Sequence, residues 1–405
     1  MKKSLLEFDD KEMKSLMLSF GEPAFRAKQI TDGLFAGKKI GEMSNVPSLL
    51  KERLGESFLD VPVEIEKKFT SADGTVKYLF RLSDGELIEG VLMSYRHGKT
   101  LCISTQIGCR MRCAFCASGL DGLKRNLTAA EMLGQVVVVN KDNLEILSND
   151  KDGGKSHLTS FRMPKYAAAG VGAVDAFDAA GNDNSEIRPF EKSPLKKKSS
   201  QKEKGGNSRS VTNVVLMGSG EPLDNYENVV KFLRLISAPY TLNISGRNIS
   251  LSTSGLSDKI EDIAKLGFQF NLTVSLHAPN DEIRSALMPI NKKYNIKSVM
   301  SAAMKYFDAT GRRLIFEYSM IGGVNDGREN ALALCRLLKG IPCHVNLIRL
   351  NAVDETKLKA ASGVAVKEFL GILQNAGISA TTRRIMGADI EGACGQLRRK
   401  YGKVY

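Results

Sequence analysis

Three cysteines crowd the stretch "GCRMRCAFCASG" at residues 108–119: Cys109, Cys113 and Cys116, spaced by three residues and then by two. Thiolates in this pattern are metal or cluster ligands, and the count is the informative part. A closed structural zinc site takes four Cys or His ligands, usually from two clustered pairs. A cluster of iron and sulfide held by three thiolates keeps one iron open for a cofactor or substrate. Three buried free thiols would be the plain alternative, but Gly108, Arg110, Arg112 and Gly119 give the stretch the character of a loop.

Further groups able to do chemistry recur at strand ends. "GSGEPLDN" (Gly218–Asn225) offers glycines that let backbone approach a ligand closely, and Glu221 as an anionic acceptor for an ammonium or hydroxyl. Ser252-Thr253-Ser254-Gly255, Ser275-Leu276-His277, Asn346 and Asn351 end other apolar runs. Small polar groups converging beside a cysteine loop are what a polar cofactor needs. Cys102 and Cys394 stand apart from the cluster by spacing, whereas Cys335 in "ALALCRLLKG" and Cys343 read as core thiols.

These groups need elements to hold them. "LCISTQI", "TNVVLMG", "NISLSTS", "FNLTVSLH", "LIFEYSMI" and "HVNLIRL" alternate with amphipathic helical stretches, so six parallel strands with crossover helices are expected, in an α/β barrel or open sheet from residue 99 to about 400. Reactive groups of such folds sit on loops at the carboxyl ends of the strands. Thr128 and Glu131 form a capping box for the helix after the cysteine loop. Residues 1–57 are expected to form a helical accessory domain. Residues 58–98 are expected to form a short antiparallel sheet, with Asp73-Gly74 and Asp84-Gly85 at its turns. Residues 141–208 are rich in Gly, Ser, Lys and Ala and read as a long disordered insertion.

Composition narrows the class. The chain has 405 residues, seven cysteines and a formal charge of +13, with a pI near 9.3. The charge favours a polyanionic partner, nucleic acid first. No secretory signal and no run of about 18 apolar residues is found, so the protein is expected in the cytoplasm, without a membrane partner, and its cysteines in metal or redox chemistry.

"GCRMRCAFC" followed by "GSGEP", "LSTSG", "SLHAPND", "INKKYNI", "NLIRLN" and "DIEGACGQLR" resembles the RlmN/Cfr family of radical S-adenosylmethionine RNA methyltransferases over almost the whole chain outside the insertion. The resemblance implies an incomplete (β/α)6 barrel. It implies that Cys109, Cys113 and Cys116 bind a [4Fe-4S] cluster whose open iron takes S-adenosyl-L-methionine, with Gly220, Glu221, Ser252, Ser275, Leu276, His277 and Asn351 contacting that cofactor. Cys394 matches a cysteine that carries the methyl group, Cys102 the cysteine that resolves it, and Glu89 in "LIEGV" a proton acceptor. The family scheme has a chemical motive, because a ring carbon of adenine is not nucleophilic and a polar methyl transfer would fail there. Cys394 accepts a methyl group, a radical derived from a second S-adenosylmethionine takes hydrogen from it, and the carbon adds to adenine. Attack by Cys102 then releases the product and leaves a transient Cys102–Cys394 disulfide.

By resemblance the target is carbon 2 of an adenosine in 23S rRNA, met before full ribosome assembly, with a tRNA adenosine beside the anticodon as a second substrate. The electron donor would be a flavodoxin or ferredoxin and the enzyme a monomer. "FGEPAFRAKQI" and "LIEGV" look like the housekeeping branch. Methylation of carbon 8 by the Cfr-type branch shares the motifs and stays open, as does a zinc-stabilised RNA-binding protein without catalysis. The chain departs from the family at Ser219, where Met is usual, and at Arg349, where Pro is usual.

Overall fold

The computed structural model describes residues 2–96, 98–151, 210–351 and 355–397, and the chain begins with three short helices. Helix α1 (Asp10–Ser19) starts at a reciprocal cap: Asp9 accepts from the Glu12 amide at 2.8 Å and Glu12 accepts from the Asp9 amide at 2.9 Å. It packs with α2 (Phe25–Phe35) and α3 (Ser48–Ser57) through Met13, Met17, Ile30, Leu34, Leu50 and Leu54.

Strands β1 (Val63–Thr70), β2 (Val76–Leu82) and β3 (Leu87–Tyr95) follow as an antiparallel meander, and β3 pairs antiparallel with β4 (Gly98–Cys102). Both turns form at the Asp-Gly pairs, where Gly74 and Gly85 each take φ 84°, a conformation nearly free of cost only for glycine. The cysteine loop is framed by a separate two-stranded ribbon, β5 (Gln106–Gly108) with β6 (Leu123–Asn126). The expected single strand "LCISTQI" is thus divided. Ile103 still donates to Val215, but the amides of Thr105 and Gln106 turn to the Ser219 carbonyl and carry the chain away from the main sheet.

Helix α4 (Ala129–Lys151) begins at the expected box, the Thr128 amide donating to Glu131 at 2.8 Å and the Glu131 amide to Thr128 Oγ1 at 3.2 Å. It runs to Lys151, so the disordered insertion expected from residue 141 is corrected there. "KDNLEILSND" contains no Gly or Pro and continues the helix. The remainder of that segment, 152–208, lies outside the described residues.

Beyond it come β7 (Val211–Leu216), α5 (Tyr226–Ser237), β8 (Ile249–Thr253), α6 (Ser257–Ala264), β9 (Asn271–Ser275), α7 (Asp281–Leu287), α8 (Ile296–Thr310), β10 (Leu314–Met320), α9 (Arg328–Leu338), β11 (Cys343–Arg349), α10 (Gly363–Asn375) and β12 (Ser379–Thr382). Among the described residues one ten-stranded sheet results, in the order β1-β2-β3-β4-β7-β8-β9-β10-β11-β12. It is parallel from β4 onward. The order is open, with β1 and β12 at its edges, as in an incomplete barrel. Seven strands rather than six form the parallel run, because "SATT" is long enough to pair with β11 though too short to stand out in sequence. Every residue of β10 is buried, which puts the centre of the core beneath the site. No helix among the described residues is long and apolar enough to cross a membrane.

Candidate active site

The carboxyl ends of the parallel strands open into a cavity, and the cysteine loop forms one wall of it. The loop is held by its own backbone. Gly108 at φ 75° lies so close to the Gly122 carbonyl that a Cβ would overlap it, the Cys109 amide donates to that carbonyl at 3.0 Å, and the Cys116 amide donates to Cys113 at 3.1 Å. Arg110 pairs with Asp224 at 2.8 Å, and the Ala114 amide reaches the Leu287 carbonyl at 2.8 Å.

Cys109, Cys113 and Cys116 all face the cavity. Burial raises all three thiols, Cys109 to about 12, so thiolates here need a positive centre to bind. Among the described residues no three His, Cys, Asp or Glu side chains converge on one point as a single metal ion requires. Cys116 and Cys109 both act on the Cys113 thiol, so the three lie near one another, and a multi-iron cluster would take each thiolate on a different iron.

Opposite them stands "GSGEP". Its glycines serve the chain itself, since a Cβ at Gly218 would lie 2.5 Å from the Ile103 carbonyl oxygen, and at Gly220, φ 110°, 2.7 Å from Gln106 and Thr105. The expected close approach is therefore to backbone and side chains of the β4–β5 segment. Buried Glu221 accepts from the Leu223 amide at 3.0 Å and the Ser254 amide at 2.7 Å. Burial raises its pKa and these bonds oppose the rise. The carboxylate lines the cavity, where it can accept from a cofactor ammonium or hydroxyl. Ser252 and Ser254 line the same wall, and the side chains of Thr253 and Ser254 support the Glu221 carboxylate.

His277 is a further wall residue, held at φ 55° with its ring edge-on to Phe115. Its Nδ1 accepts from the Ser319 amide at 2.9 Å, so the neutral ring carries its proton on Nε2. Burial, with Arg284 nearby, lowers its pKa to about 3. Ser275 faces the cavity, while Leu276 is fully buried behind it, donating its amide to the Glu317 carbonyl at 3.0 Å. Arg284, itself wholly buried, ties these loops together: it donates to the carbonyls of Leu276, Ser254, Ser275 and Tyr294 and to Asn291 Oδ1.

Of the two distant cysteines, Cys394 lines the cavity and Cys102 lies outside its lining, near enough for Cys394 to act on its thiol. Cys394 lies at the cavity mouth, exposed to its solvent yet crowded enough by protein that its thiol is raised to about 11. Cys102 ends β4 beneath it, buried, and raised to about 12 by burial and then by Cys394. All seven cysteines are free. Asn351 donates to the Cys394 carbonyl at 2.9 Å, and the Ala117 amide to the Gly395 carbonyl at 2.8 Å, tying the C-terminal segment to the cysteine loop. Glu89 does not line this cavity. It is buried on β3, on the sheet face that also bears Val91, paired in register with Cys102, and it forms an ion pair with Lys77 at 3.2 Å.

Two residues that the sequence reading passed over belong to the site. Glu317, on β10, faces the cavity, and Arg383, just past β12, pairs with it at 3.0 Å. The charged pair "RR" directly after a strand was the available signal for Arg383. Of the departures from the family, Ser219 is buried with its hydroxyl 3.3 Å from that of Ser118, and Arg349 is exposed at the end of β11.

A half-open parallel sheet with a three-thiol loop at its carboxyl edge defines a radical SAM enzyme, and a family model for the Radical SAM superfamily matches residues 198–335. A second, for the ribosomal RNA large subunit methyltransferase N-terminal domain, matches residues 3–59. The chain is 42% identical over 404 residues to the "Probable dual-specificity RNA methyltransferase RlmN" of Clostridium perfringens strain 13, covering 99% of this chain and 98% of that relative. The protein of the same name from Alkaliphilus metalliredigens is also 42% identical, covering 99% and 96%. A crystal structure of a radical SAM methyltransferase from Sphaerobacter thermophilus is similar with a TM-score of 0.81 at 35% identity, covering 98% of this chain and all of that one. The chain belongs to the RlmN family of radical SAM RNA methyltransferases.

Proposed function

We propose that the protein methylates carbon 2 of an adenosine in 23S rRNA, and of a tRNA adenosine beside the anticodon, with Cys394 as the methyl carrier. The observation that carries this reading is that Cys394, remote in sequence, lines the cavity walled by the three-thiol loop, with buried Cys102 at the end of β4 near enough for Cys394 to act on its thiol. Relatives named for dual specificity support two RNA substrates, and the choice of carbon 2 over carbon 8 rests on "FGEPAFRAKQI" and "LIEGV", which look like the housekeeping branch.

Cys109, Cys113 and Cys116 would hold a [4Fe-4S] cluster, and Glu221, Ser252, Ser275, His277 and Asn351 with the backbone at Gly220 would hold S-adenosyl-L-methionine beside it, while Leu276 supports the wall from behind. When bound, the pair supplies methyl groups and, given an electron from a flavodoxin or ferredoxin, hydrogen-atom abstraction. The protein's own residues do the rest. Neutral His277 offers an Nε2–H and no charge, and Glu221 offers a buried carboxylate as acceptor. Cys394, at the mouth, accepts the methyl group and presents it outward toward RNA. Asn351 and Ala117 fix its backbone so that the sulfur keeps its place while it is loaded. Glu89, kept beside the Lys77 ammonium, receives the proton that the adenine carbon loses. Cys102 then attacks the Cys394 sulfur from the adjacent strand end.

Enzymatic digestion of modified rRNA and tRNA followed by mass spectrometry tests the regiochemistry. 2-Methyladenosine in both RNAs is expected, and 8-methyladenosine in its place would overturn the choice. Anaerobic reconstitution with iron and sulfide is expected to yield a four-iron cluster that is lost when Cys113 is replaced by Ala.

A further inference from the structure

Arg383 is pinned from three sides. Its amide donates to the Leu347 carbonyl at 2.8 Å, which carries the β11–β12 pairing one residue past the strand. Its guanidinium Nη1 lies 3.0 Å from Glu317 Oε1 and 3.8 Å from the Met217 sulfur. Glu317 is nearly wholly buried between Ser275 and Asn346 in the sheet register, and its other oxygen accepts from Ser252 Oγ at 3.3 Å. Met217 packs against the small apolar cluster that contains Cys102, Val91 and Leu397. A cation is thereby fixed at the border of the pocket that buries the Cys102 thiol.

The charges around Cys102 give that placement a purpose. Burial, Cys394 and Glu317 all raise the Cys102 thiol, and Arg383 is the cation among the groups acting most strongly on it. Arg383 acts on Cys394 and on Tyr95 of β3 as well, and the Lys77–Glu89 pair lies on the same sheet face. A thiol attacks only as its thiolate, which a fixed cation favours.

We propose that Arg383 is the positioning residue of product release, presenting one guanidinium to Cys102 as its sulfur attacks Cys394. The inference rests on the S-methylcysteine reading above. In the step itself Cys102 gives up its thiol proton and its sulfur bonds to the Cys394 sulfur. The bond from that sulfur to the methylene carbon on adenine breaks, its electron pair stays on carbon, and one proton completes the methyl group. One thiol and one thioether become one disulfide and one methylated base, and a protein dithiol of the thioredoxin type later reduces the disulfide.

The test compares Arg383→Lys and Arg383→Met with the natural full-length chain. In single turnover with an rRNA fragment near neutral pH, Arg383→Met is expected to form the covalent protein–RNA adduct but to release product at least about tenfold more slowly, a tenfold change in thiolate fraction being about one pKa unit. Release should recover as pH rises, and Arg383→Lys should release at close to the natural rate. Without cluster or RNA, alkylation of Cys102 by iodoacetamide, read by peptide mass spectrometry, should slow by a similar factor in Arg383→Met. Arg383→Gln, which keeps a donor for Glu317, replaces it if the Met variant does not fold. Release and alkylation at natural rates in the neutral variant would overturn the proposal. Failure of the natural chain to methylate RNA, or of its Cys102→Ala variant to form an adduct, would instead overturn the reading beneath it.

Discussion

Lys77 and Glu89 are diagonal neighbours across β2 and β3, their charged groups 3.2 Å apart with 2% and 3% of the side chains exposed. Removing one member of a buried pair strands the other charge, at a cost of about 3–5 kcal/mol, whereas removing both together is far milder. Lys77→Met is therefore expected to lower the unfolding free energy by that amount, and combining Lys77→Met with Glu89→Gln to recover most of it. A denaturant double-mutant cycle measures this. Additive losses would mean the pair is not coupled.

Arg284→Met leaves the carbonyls of Ser254, Ser275 and Leu276 without the donor that binds the loops after β8 and β9. A loss of about 3 kcal/mol or more is expected, together with loss of S-adenosylmethionine binding by calorimetry. Binding at natural affinity in a folded variant would contradict the role given to these loops.

His277 titrates in the opposite sense to a histidine that gains an anionic partner. Its folded value, about 3, is below the ordinary 6.5, so protonation favours the unfolded chain. Its contribution is fully present above pH 6.5 and is lost as pH falls from 6.5 toward 3. His277→Asn, which keeps an acceptor for the Ser319 amide and tolerates positive φ, should show a shallower loss of stability across that window. Parallel curves for the two proteins, by thermal unfolding against pH, would contradict the assignment.

Much of this was legible before the structure, for local reasons. The three-thiol loop, both Asp-Gly turns and the Thr128–Glu131 box are each encoded within a few residues. What the sequence concealed depends on pairing between remote segments. β12 is four residues long, Arg383 meets Glu317 only because β11 lies between their strands, and Lys77 meets Glu89 only through strand register. The extent of α4 was hidden differently, by a polar composition that resembles the low-complexity stretch following it.

The net charge of +13 predicts phosphate contacts that displace counterions, so RNA affinity should fall steeply between low and physiological salt. Filter binding across a salt series reads the slope. A flat line would remove the electrostatic part of the account.

The central claim is that Cys394 carries the methyl group and Cys102 frees the product. Denaturing electrophoresis of reconstituted variants with labelled RNA tests it most directly. Cys102→Ala is predicted to trap a covalent protein–RNA adduct, and Cys394→Ala to give neither adduct nor methylated RNA while still binding the cluster. Normal turnover by Cys102→Ala, or methylated RNA from Cys394→Ala, would contradict the account.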